Sequence, residues 1–594
     1  MIFCSLFGII YYAMKDLLKY LKNYKLQSFL APLFKLIEAS FELFIPLVVA
    51  FMIDKINGVN GGTVATADAT RYVIYCCLIL VGLGIIGLIS AVCAQYFAAK
   101  AAVGFSKELR SDLFGKIQSL SYKDMDNLGT SAMITRMTSD VNQIQTGVNL
   151  VLRLFMRSPF IVFGAMVMAF IIEPIAGWVV AATIAVLFLV VFFIMFITIP
   201  MYRKSQGHLD SVTASTRETL VGSRVVRAFC KENDEIEENR RRNQALYKSQ
   251  KRVGAISALM NPLTYAIINV GIIALIYTGA LKVHGGSLTQ GQVIALYNYM
   301  SQILIELIKL ANLIITVTKC FASAGRVDEI LKMQPSLIHT APQEAVKGAP
   351  FIAFENVSMR YSDGGTCALE DISFTAEKGQ TIGIIGGTGS GKTTLVNMIP
   401  HFYDACGGEV RIDGVNVSSI DDVTLRDRCG VVPQRAVLFK GTIRENLKWG
   451  NENATDEEIM QAVGYACATD VIYSKQGGLD EDVEQGGKNF SGGQRQRLTI
   501  ARAMVRKPEI LILDDSASAL DYATDLSLRK NLRSLDYQPT VFIVSQRTSS
   551  IRHADKILVL DGGKLVGSGT HDYLLENCEV YREIHNSQYA KEGA

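Results

Sequence analysis

The chain has 594 residues, more than one hydrophobic core normally spans, so we expect at least two domains. Apolar residues make up 49% of it and charged residues only 19%, which indicates a membrane protein with a soluble part. The net charge of +3 is small and the basic residues are dispersed, so we expect no nucleic acid among its partners. The 11 cysteines show no ligand spacing, which is typical of free thiols in a reducing cytosol.

Residues 1–26 are predicted to form an interfacial elbow helix ahead of the first membrane span. Residues 1–13 are apolar but lack the basic start and the cleavage site of a secretory signal. From Met14 onward the pattern is amphipathic and basic, which suits a helix lying on the inner membrane surface. The sequence leaves open whether translation starts at Met1 or Met14.

Six segments are apolar and long enough to cross a bilayer as helices, which takes about 20 residues each. They lie near 27–53, 72–101, 148–171, 175–199, 256–282 and 289–318, and we assign residues 27–330 to a six-helix transmembrane domain. Lys and Arg concentrate between the fourth and fifth spans and are almost missing from the loops on the other side. This asymmetry predicts that the N-terminus, the long loops and the C-terminal domain are cytoplasmic. The expected location is the plasma membrane.

The helices of this domain are expected to continue beyond the bilayer. Residues 71–120 contain no proline and stay compatible with one helix, which is much longer than a membrane is thick. Breaks at residues 121–129 and 211–223 could each hold a short crossing helix at the tip of such a projection.

Ionisable residues occur within two of the spans. Lys35, Glu38 and Glu42 share one face of the first span, and Glu306 and Lys309 are one turn apart in the sixth. Charges at membrane depth are costly, so they usually line a wet cavity or pair with one another. The sequence leaves both interpretations open, and Lys35 could also extend its amine to the inner interface.

Residues 331–350 read as a linker, because prolines and small residues interrupt the helical pattern, and a soluble domain is expected over 351–594. In that domain a short apolar run ends in a phosphate-binding loop of the form G-x-x-x-x-G-K-[ST]. Its backbone N–H groups and the next helix would surround phosphates, Lys392 would reach the β- and γ-phosphates, and Thr393 would bind Mg²⁺. The predicted ATP-binding residues here are Gly386, Gly387, Thr388, Gly389, Ser390, Gly391, Lys392, Thr393 and Thr394.

Two further motifs follow in the same domain. The first is the run Ser491, Gly492, Gly493 and Gln494 ahead of a predicted helix. Its serine hydroxyl and glycine N–H groups could bind an anion, as those of the phosphate-binding loop do. An apolar run then ends in Asp514 and Asp515, as expected of a buried strand that delivers the Asp514 carboxylate to Mg²⁺.

The three motifs, in this order and spacing, resemble the nucleotide-binding domain of ATP-binding cassette (ABC) proteins. The resemblance implies an all-α six-helix transmembrane domain with long cytoplasmic extensions, followed by an α/β P-loop cassette that binds ATP and Mg²⁺. It also implies that Tyr361 stacks on adenine, that Gln434 touches Mg²⁺ or the attacking water, and that Asp521 crosses to a second cassette. Residues 135–141 and 218–229 look like the coupling regions of ABC exporters.

Two residues depart from the family pattern. The catalytic glutamate that follows the Mg²⁺ carboxylate is Asp515 here, and the switch histidine is Gln546. Aspartate is one methylene shorter, which retracts its carboxylate by about 1.5 Å, and a misplacement near 1 Å can lower a rate by ~10²-fold. A neutral amide cannot become a cation or carry a proton. We therefore predict that this chain's own site binds ATP but hydrolyses it slowly.

Family cassettes work as head-to-tail dimers, which implies that the intact signature Ser491–Gln494 completes the site of a second chain. The leading hypothesis is therefore one half of a heterodimeric, multidrug-type exporter of amphiphilic compounds in a lipid bilayer. A homodimeric exporter of lipid or peptide, and an ATP-sensing regulatory membrane subunit, are the alternatives. The substrate, the direction of transport and the partner chain stay open.

Overall fold

The computed structural model describes residues 16–60, 65–344, 346, 348–362 and 364–589. The chain forms two compact units. The first contains Met1–Gln118 and Thr130–Met333, and the second contains Ser119–Gly129 and Gln334–Ala594. Residues 119–129 fall within the predicted transmembrane domain of residues 27–330, but they pack within the second unit.

The N-terminal half is helical. Its helices are α1 (Lys25–Asn60), α2 (Thr66–Gln118), α3 (Tyr122–Leu128), α4 (Thr130–Thr135), α5 (Val141–Leu154), α6 (Arg157–Ile172), α7 (Pro174–Val221), α8 (Ser223–Ala228), α9 (Glu232–Ala258), α10 (Met260–His284) and α11 (Gln290–Lys332). A π-helical turn, Arg136–Asp140, joins α4 to α5. The described part of the predicted elbow is a 3₁₀ helix, Leu18–Tyr24, that runs directly into α1. Residues 1–15, with the two candidate start sites, lie outside the described residues.

Five helical stretches of the described chain are long and apolar enough to cross a membrane: Leu18–Val59, Thr66–Gln118, Thr130–Ile172, Pro174–Val221 and Glu232–His284. They contain the first five predicted spans. The sixth predicted span lies in α11, whose 43 residues include polar and charged side chains. This helix is not among the five membrane-spanning candidates. A helix at this position is confirmed, and its crossing of the membrane stays a prediction.

The projections beyond the bilayer are confirmed by helix length. The 53 residues of α2 extend for roughly 80 Å at the α-helical rise, far more than a bilayer needs. The first predicted break is also confirmed, since α3 lies within residues 121–129. The second is confirmed only at its C-terminal end: α7 continues through residue 221, the helix is interrupted at Gly222, and the short helix α8 follows. Residues 211–221 contain neither proline nor glycine, so nothing in them stops the helix.

The charged residues of the spans are paired. Arg157 of α6, which is 7% exposed, donates to Glu306 and to Glu42, each at 2.7 Å. Lys309 donates to Glu306 at 2.8 Å, and Lys35 donates to Glu38 at 2.6 Å. Of the two interpretations left open by the sequence, the structure shows ion pairing inside the helix bundle. Arg157, the centre of this network, was missed by sequence reasoning.

The second unit holds the sheets. Its strands are β1 (Ile352–Met359), β2 (Leu369–Ala376), β3 (Thr381–Gly386), β4 (Gly407–Ile412), β5 (Val415–Asn416), β6 (Cys429–Val432), β7 (Gly441–Thr442), β8 (Asp482–Val483), β9 (Ile510–Asp514), β10 (Thr540–Val544), β11 (Lys556–Asp561) and β12 (Lys564–Gly569). Its helices after α11 are α12 (Lys392–Met398), α13 (Asp422–Asp427), α14 (Ile443–Lys448), α15 (Asp456–Tyr465), α16 (Thr469–Tyr473), α17 (Gly492–Val505), α18 (Tyr522–Arg533), α19 (Thr548–Ile551), α20 (His571–Asn577) and α21 (Glu579–Tyr589).

The main sheet has six strands in the order β12-β11-β3-β10-β9-β6, and all neighbours are parallel except β12 with β11. A four-stranded antiparallel sheet, β2-β1-β4-β5, and a two-stranded one, β7-β8, complete the unit. Strands β9 and β10 are buried along their whole length, which is why they read as unbroken apolar runs. Because β3, β9 and β10 are parallel, their carboxyl ends share one edge of the sheet.

Candidate functional site

The loop between β3 and α12 has the shape expected of a phosphate-binding loop. Gly389 and Gly391 have φ of +80° and +94°, and a Cβ at Gly391 would lie 2.6 Å from the Ala368 carbonyl oxygen. The Lys392 amine lies inside the loop, where it donates to the carbonyls of Gly386 at 2.9 Å and Gly387 at 2.6 Å. Burial lowers the pKa of Lys392, against the opposing effect of nearby carboxylates. A buried cation surrounded by backbone is thus held at the position where phosphate oxygens are expected.

Two of the predicted Mg²⁺ ligands meet at this edge of the sheet. The Thr393 hydroxyl donates to Asp514 Oδ1 at 3.0 Å, which joins the first turn of α12 to the end of β9. Asp514 is 5% exposed, and its pKa is raised chiefly by burial, with a further contribution from Asp515. The pair offers two oxygen donors, and the carboxylate favours a cation beside it.

Asp515 occupies a left-handed backbone conformation directly after β9. Its φ is +46°, and its N–H donates to the Val544 carbonyl at the end of β10 at 3.1 Å. Burial raises the pKa of Asp515, while Lys392 and a hydrogen bond from Gln434 lower it. The structure therefore brings Asp515, Gln434 and the loop lysine together.

Gln546 is exposed just beyond β10. Its backbone carbonyl accepts a hydrogen bond from the Gln588 side chain in α21 at 2.7 Å. The Gln588 amide oxygen in turn accepts from the Thr548 N–H and hydroxyl, each at 2.9 Å. The C-terminal helix therefore holds the segment that carries Gln546.

Tyr361 lies next to the helix that follows the loop. Its hydroxyl shares a hydrogen bond of 2.8 Å with the Thr394 hydroxyl, and the ring is 42% exposed. The Tyr403 ring meets it edge-on, with centroids 5.3 Å apart. One face of a fixed aromatic ring beside the phosphate loop suits base stacking.

The signature residues stabilise their own helix end. The Ser491 hydroxyl accepts from the Gln494 N–H, and the Gln494 side chain accepts from the Ser491 N–H at 3.0 Å, forming a capping box on α17. Asp521 caps α18 through the Thr524 N–H at 3.1 Å. In the described part of the chain these hydrogen bonds are local and none joins the signature or Asp521 to the phosphate loop. This separation agrees with motifs that act on a second chain.

The short helix α3 belongs to the same unit as the site. Tyr122 stacks on Phe402, with centroids 4.5 Å apart, and the Tyr403 hydroxyl donates to Asp126 at 2.8 Å. Phe402 and Tyr403 follow α12, and Tyr403 also contacts Tyr361. Sequence reasoning missed this aromatic pair, although two adjacent aromatic residues soon after the phosphate loop were visible.

A cavity of about 660 Å³ opens between these elements. Its lining includes Thr393, Asp514 and Gln434, and also Tyr122 and Phe402. The cavity thus reaches from the candidate metal ligands to the helix α3.

Comparisons with known proteins agree with this architecture. Residues 28–307 match the family described as "ABC transporter transmembrane region", and residues 369–518 match the family described as "ABC transporter". The chain is 33% identical over 582 residues to an uncharacterized ABC transporter ATP-binding protein, YfiB, of Bacillus subtilis (strain 168), which covers 98% of this chain and 100% of that protein. It is 34% identical to the probable multidrug resistance ABC transporter ATP-binding/permease protein YheI of the same organism, over 66% of this chain and 68% of that one.

The fold is similar to that of a solved structure, a bacterial Atm1-family ABC exporter with ATP bound. The TM-score is 0.78, the identity is 22%, and the match covers 97% of this chain and 99% of the other. At that identity the likeness concerns the fold alone.

Proposed function

This chain belongs to the ABC transporter family as an exporter-type ATPase fused to its transmembrane domain, and from that premise we propose that it is one half of a heterodimeric exporter. Its own ATP site binds nucleotide but hydrolyses it slowly. Its signature, Ser491–Gln494, completes the site of a non-identical partner that supplies the glutamate and histidine missing here. The observation that carries the proposal is the pair of substitutions at Asp515 and Gln546.

The loop fits ATP and Mg²⁺. Lys392 now satisfies its amine with the loop's own carbonyls, and a phosphate chain in the loop offers the same amine anionic oxygens instead. The Thr393 hydroxyl and the Asp514 carboxylate are hard oxygen donors 3.0 Å apart, as Mg²⁺ requires, and Gln434 adds an amide oxygen nearby. When bound, the metal would neutralise charge on the phosphates. Tyr361 would stack on the adenine, and Gly386–Ser390 and Thr394 would surround the phosphates.

Two features slow hydrolysis at this site: the position of the Asp515 carboxylate and the lack of a positive charge at Gln546. Asp515 is held by its left-handed backbone and by the bond from Gln434, and its carboxylate is one methylene too short to reach a water positioned for glutamate. The raised pKa of Asp515 does not compensate for a base that stands about 1.5 Å out of place. Gln546 can donate a hydrogen bond to a γ-phosphate but cannot add a positive charge.

The transport function is that of a multidrug-type exporter. Its transmembrane helices expose apolar side chains, and the charges inside the bundle are paired with one another, which suits amphiphilic substrates. ATP binding at two unequal interfaces would close the cassettes, and α3 would pass the closure to the membrane helices, with both cassettes in the cytoplasm beneath the plasma membrane.

Restoring the two residues tests the proposal. The purified chain alone should show weak ATPase activity, and Asp515→Glu combined with Gln546→His should raise it by about 10²-fold, with little change in ATP affinity. The control, Lys392→Ala in either background, should abolish binding. High activity of the unmodified chain, equal to that of the double variant, would contradict the slow site.

A homodimeric exporter is the second candidate, because Asp515 keeps a carboxylate beside the loop lysine. It predicts that the chain alone both hydrolyses ATP and moves substrate, and that Asp515→Asn abolishes both. The heterodimer predicts little change in the chain's already low activity on the same substitution.

A further inference from the structure

A cluster of two histidines and one aspartate lies in the second unit, outside the ATP site. His339 precedes β1, His401 follows α12, and Asp422 begins α13. The candidate ligand atoms of the three side chains lie within 4.8 Å of one another. His401 is 1% exposed, whereas His339 is exposed to solvent.

The buried histidine directs an unsatisfied nitrogen towards an unsatisfied oxygen. His401 Nε2 lies 2.9 Å from Asp404 Oδ1, and because a carboxylate only accepts, this nitrogen carries the proton. His401 Nδ1 then presents a lone pair to Asp422 Oδ1 at 3.7 Å. Among the described residues, neither atom has a hydrogen-bond partner. Two buried acceptors facing each other need a donor or a cation between them.

The neighbours of His339 fix it beside this pair. The Ile338 N–H donates to Asp404 Oδ2 at 3.0 Å, and the Thr340 N–H donates to the Ser418 carbonyl at 2.9 Å. The His339 ring meets the His401 ring edge-on, with centroids 5.6 Å apart. The segment that leads into β1 is therefore held on both sides of the histidine, and the exposed imidazole of His339 lies beside the pair.

The donor set favours a borderline transition metal. Two imidazoles and one carboxylate suit Zn²⁺, whereas Mg²⁺ and Ca²⁺ prefer oxygen donors. The contact between Asp404 and His401 Nε2 matches the carboxylate that commonly orients a metal-binding histidine. Arg426 binds only the other Asp422 oxygen, at 3.1 Å, so Oδ1 stays available. The carboxylates of Asp404 and Asp422 outnumber this single guanidinium.

We propose that His339, His401 and Asp422 form a zinc site that fastens the segment ahead of β1 to the cassette. Tetrahedral zinc holds its ligand atoms about 3.3 Å apart, so the pair at 3.7 Å needs little adjustment and the exposed His339 supplies most of the movement. A water molecule takes the fourth position. None of the three residues belongs to the candidate ATP site, so the role proposed for the metal is to fasten the segment.

Zinc content tests the site. The full chain, purified in detergent without a histidine tag and dialysed against metal-free buffer after loading with Zn²⁺, should retain about one zinc per chain. His339→Ala and Asp422→Asn should each lose it, and Asp404→Asn should weaken binding by about 10- to 100-fold. The matched control His553→Ala removes another histidine of the same unit and should retain the metal.

The variant His339→Ala is the decisive one. Because His339 is exposed, this substitution should leave the chain folded, and unchanged ATP binding would verify that. Loading with Co²⁺ gives a second readout: the visible absorption of a tetrahedral site should appear in the unmodified chain and vanish in His339→Ala. An unmodified chain that retains no zinc, or a His339→Ala chain that retains as much as the unmodified one, would overturn the proposal.

Discussion

At the scale of one residue, the ionised Asp514 carboxylate of the candidate nucleotide site lowers the free energy of unfolding. This carboxylate is buried beside a second carboxylate, and both effects raise its pKa. The folded state therefore prefers Asp514 protonated, and its ionisation lowers the free energy of unfolding as the pH rises from the unfolded pKa of about 3.9 through the folded pKa. A bound cation removes this penalty. The site is thus most stable when it is loaded.

The substitution Asp514→Asn separates the cost of burying this carboxylate from its contribution to binding Mg²⁺. Without nucleotide at pH 7 the variant should be as stable as the unmodified chain or more so, because an uncharged amide replaces a buried carboxylate. With Mg²⁺ and ATP at 100 times the dissociation constant, the unmodified chain should gain about 2.7 kcal/mol, and the variant should gain much less. Thermal unfolding with and without Mg-ATP measures both.

Asp480→Asn is the control, because its pKa shift has the opposite sign. The Asp480 carboxylate is exposed and its pKa is lowered by the hydrogen bond from Arg444. The substitution should leave the Mg-ATP gain unchanged. An Asp514→Asn chain that keeps the full gain would show that this carboxylate is not a metal ligand.

Individual motif residues were predictable because their chemistry is local. A phosphate loop needs its glycines, lysine and threonine in adjacent positions, so Lys392 and Thr393 are visible in one short stretch. Arg157, Tyr403 and His401 were missed, because each acts through partners distant in sequence. A lone arginine in an apolar span or a tyrosine after a helix carries no signal until the fold supplies its partner.

At the scale of elements, α3 depends on one aspartate. Asp124 accepts from the Ser121 N–H at 3.1 Å, the Ser121 hydroxyl at 2.7 Å and the Ser336 N–H at 2.9 Å. Burial tends to raise the pKa of Asp124, but the bonds from Ser121 and Ser336 outweigh it and lower the pKa. One carboxylate therefore caps α3 and ties it to the chain that follows α11.

Asp124→Asn should loosen α3 by about 1 kcal/mol, a typical cost for losing a cap. Because the folded pKa is depressed, the carboxylate stabilises α3 fully above the unfolded pKa of about 3.9, and this contribution is lost as the pH falls through the folded pKa. Amide hydrogen exchange of residues 122–128 should be faster in the variant at pH 7, and the difference should narrow only below about pH 4, as the pH falls through the folded pKa of Asp124. A difference that stays constant below about pH 4 would contradict the role of the ionised form.

The helix bundle depends on the charge balance around Arg157. Removing this guanidinium leaves Glu42 and the buried Glu306 without their shared partner, so Arg157→Met should cost about 3–5 kcal/mol. The matched variant Glu42→Gln neutralises a carboxylate whose side chain is 35% exposed and keeps the Arg157–Glu306 pair, so its cost should be smaller. Thermal unfolding in detergent compares the two, and equal costs would contradict the central place of Arg157.

The prediction of helix ends shows where sequence reasoning fails for whole elements. In the break predicted at residues 121–129, Ser121 caps α3 and Gly129 ends it. In the break predicted at 211–223, the interruption comes only at Gly222, because α7 stays helical to residue 221. Exposed helices tolerate polar residues on every face once neighbours support them.

At the scale of the whole molecule, a series of side-chain contacts within the second unit leads from Tyr361 to α3. Tyr361 would hold the adenine, its ring meets Tyr403, and Tyr403 donates to Asp126 of α3. The peptide chain carries α3 directly into α2 on one side and α4 on the other. Adenine bound at Tyr361, as proposed above, would therefore be connected to α3 through a single tyrosine.

Tyr403→Phe should break this connection without weakening the ATP site. The ring that contacts Tyr361 and Tyr122 remains, so nucleotide affinity should change by less than about 3-fold, while the hydrogen bond to a charged acceptor, worth roughly 1.5–3 kcal/mol, is lost. In the unmodified chain, Mg-ATP should slow amide exchange in residues 122–128, and in Tyr403→Phe this effect should be largely gone. Tyr361→Phe is the matched control: it loses one hydroxyl, bonded to Thr394, but keeps the contact with Tyr403, so the nucleotide effect on α3 should persist. If both variants kept the effect, α3 would sense nucleotide by another route, for which the cavity lined by Gln434 and Tyr122 is the physical candidate.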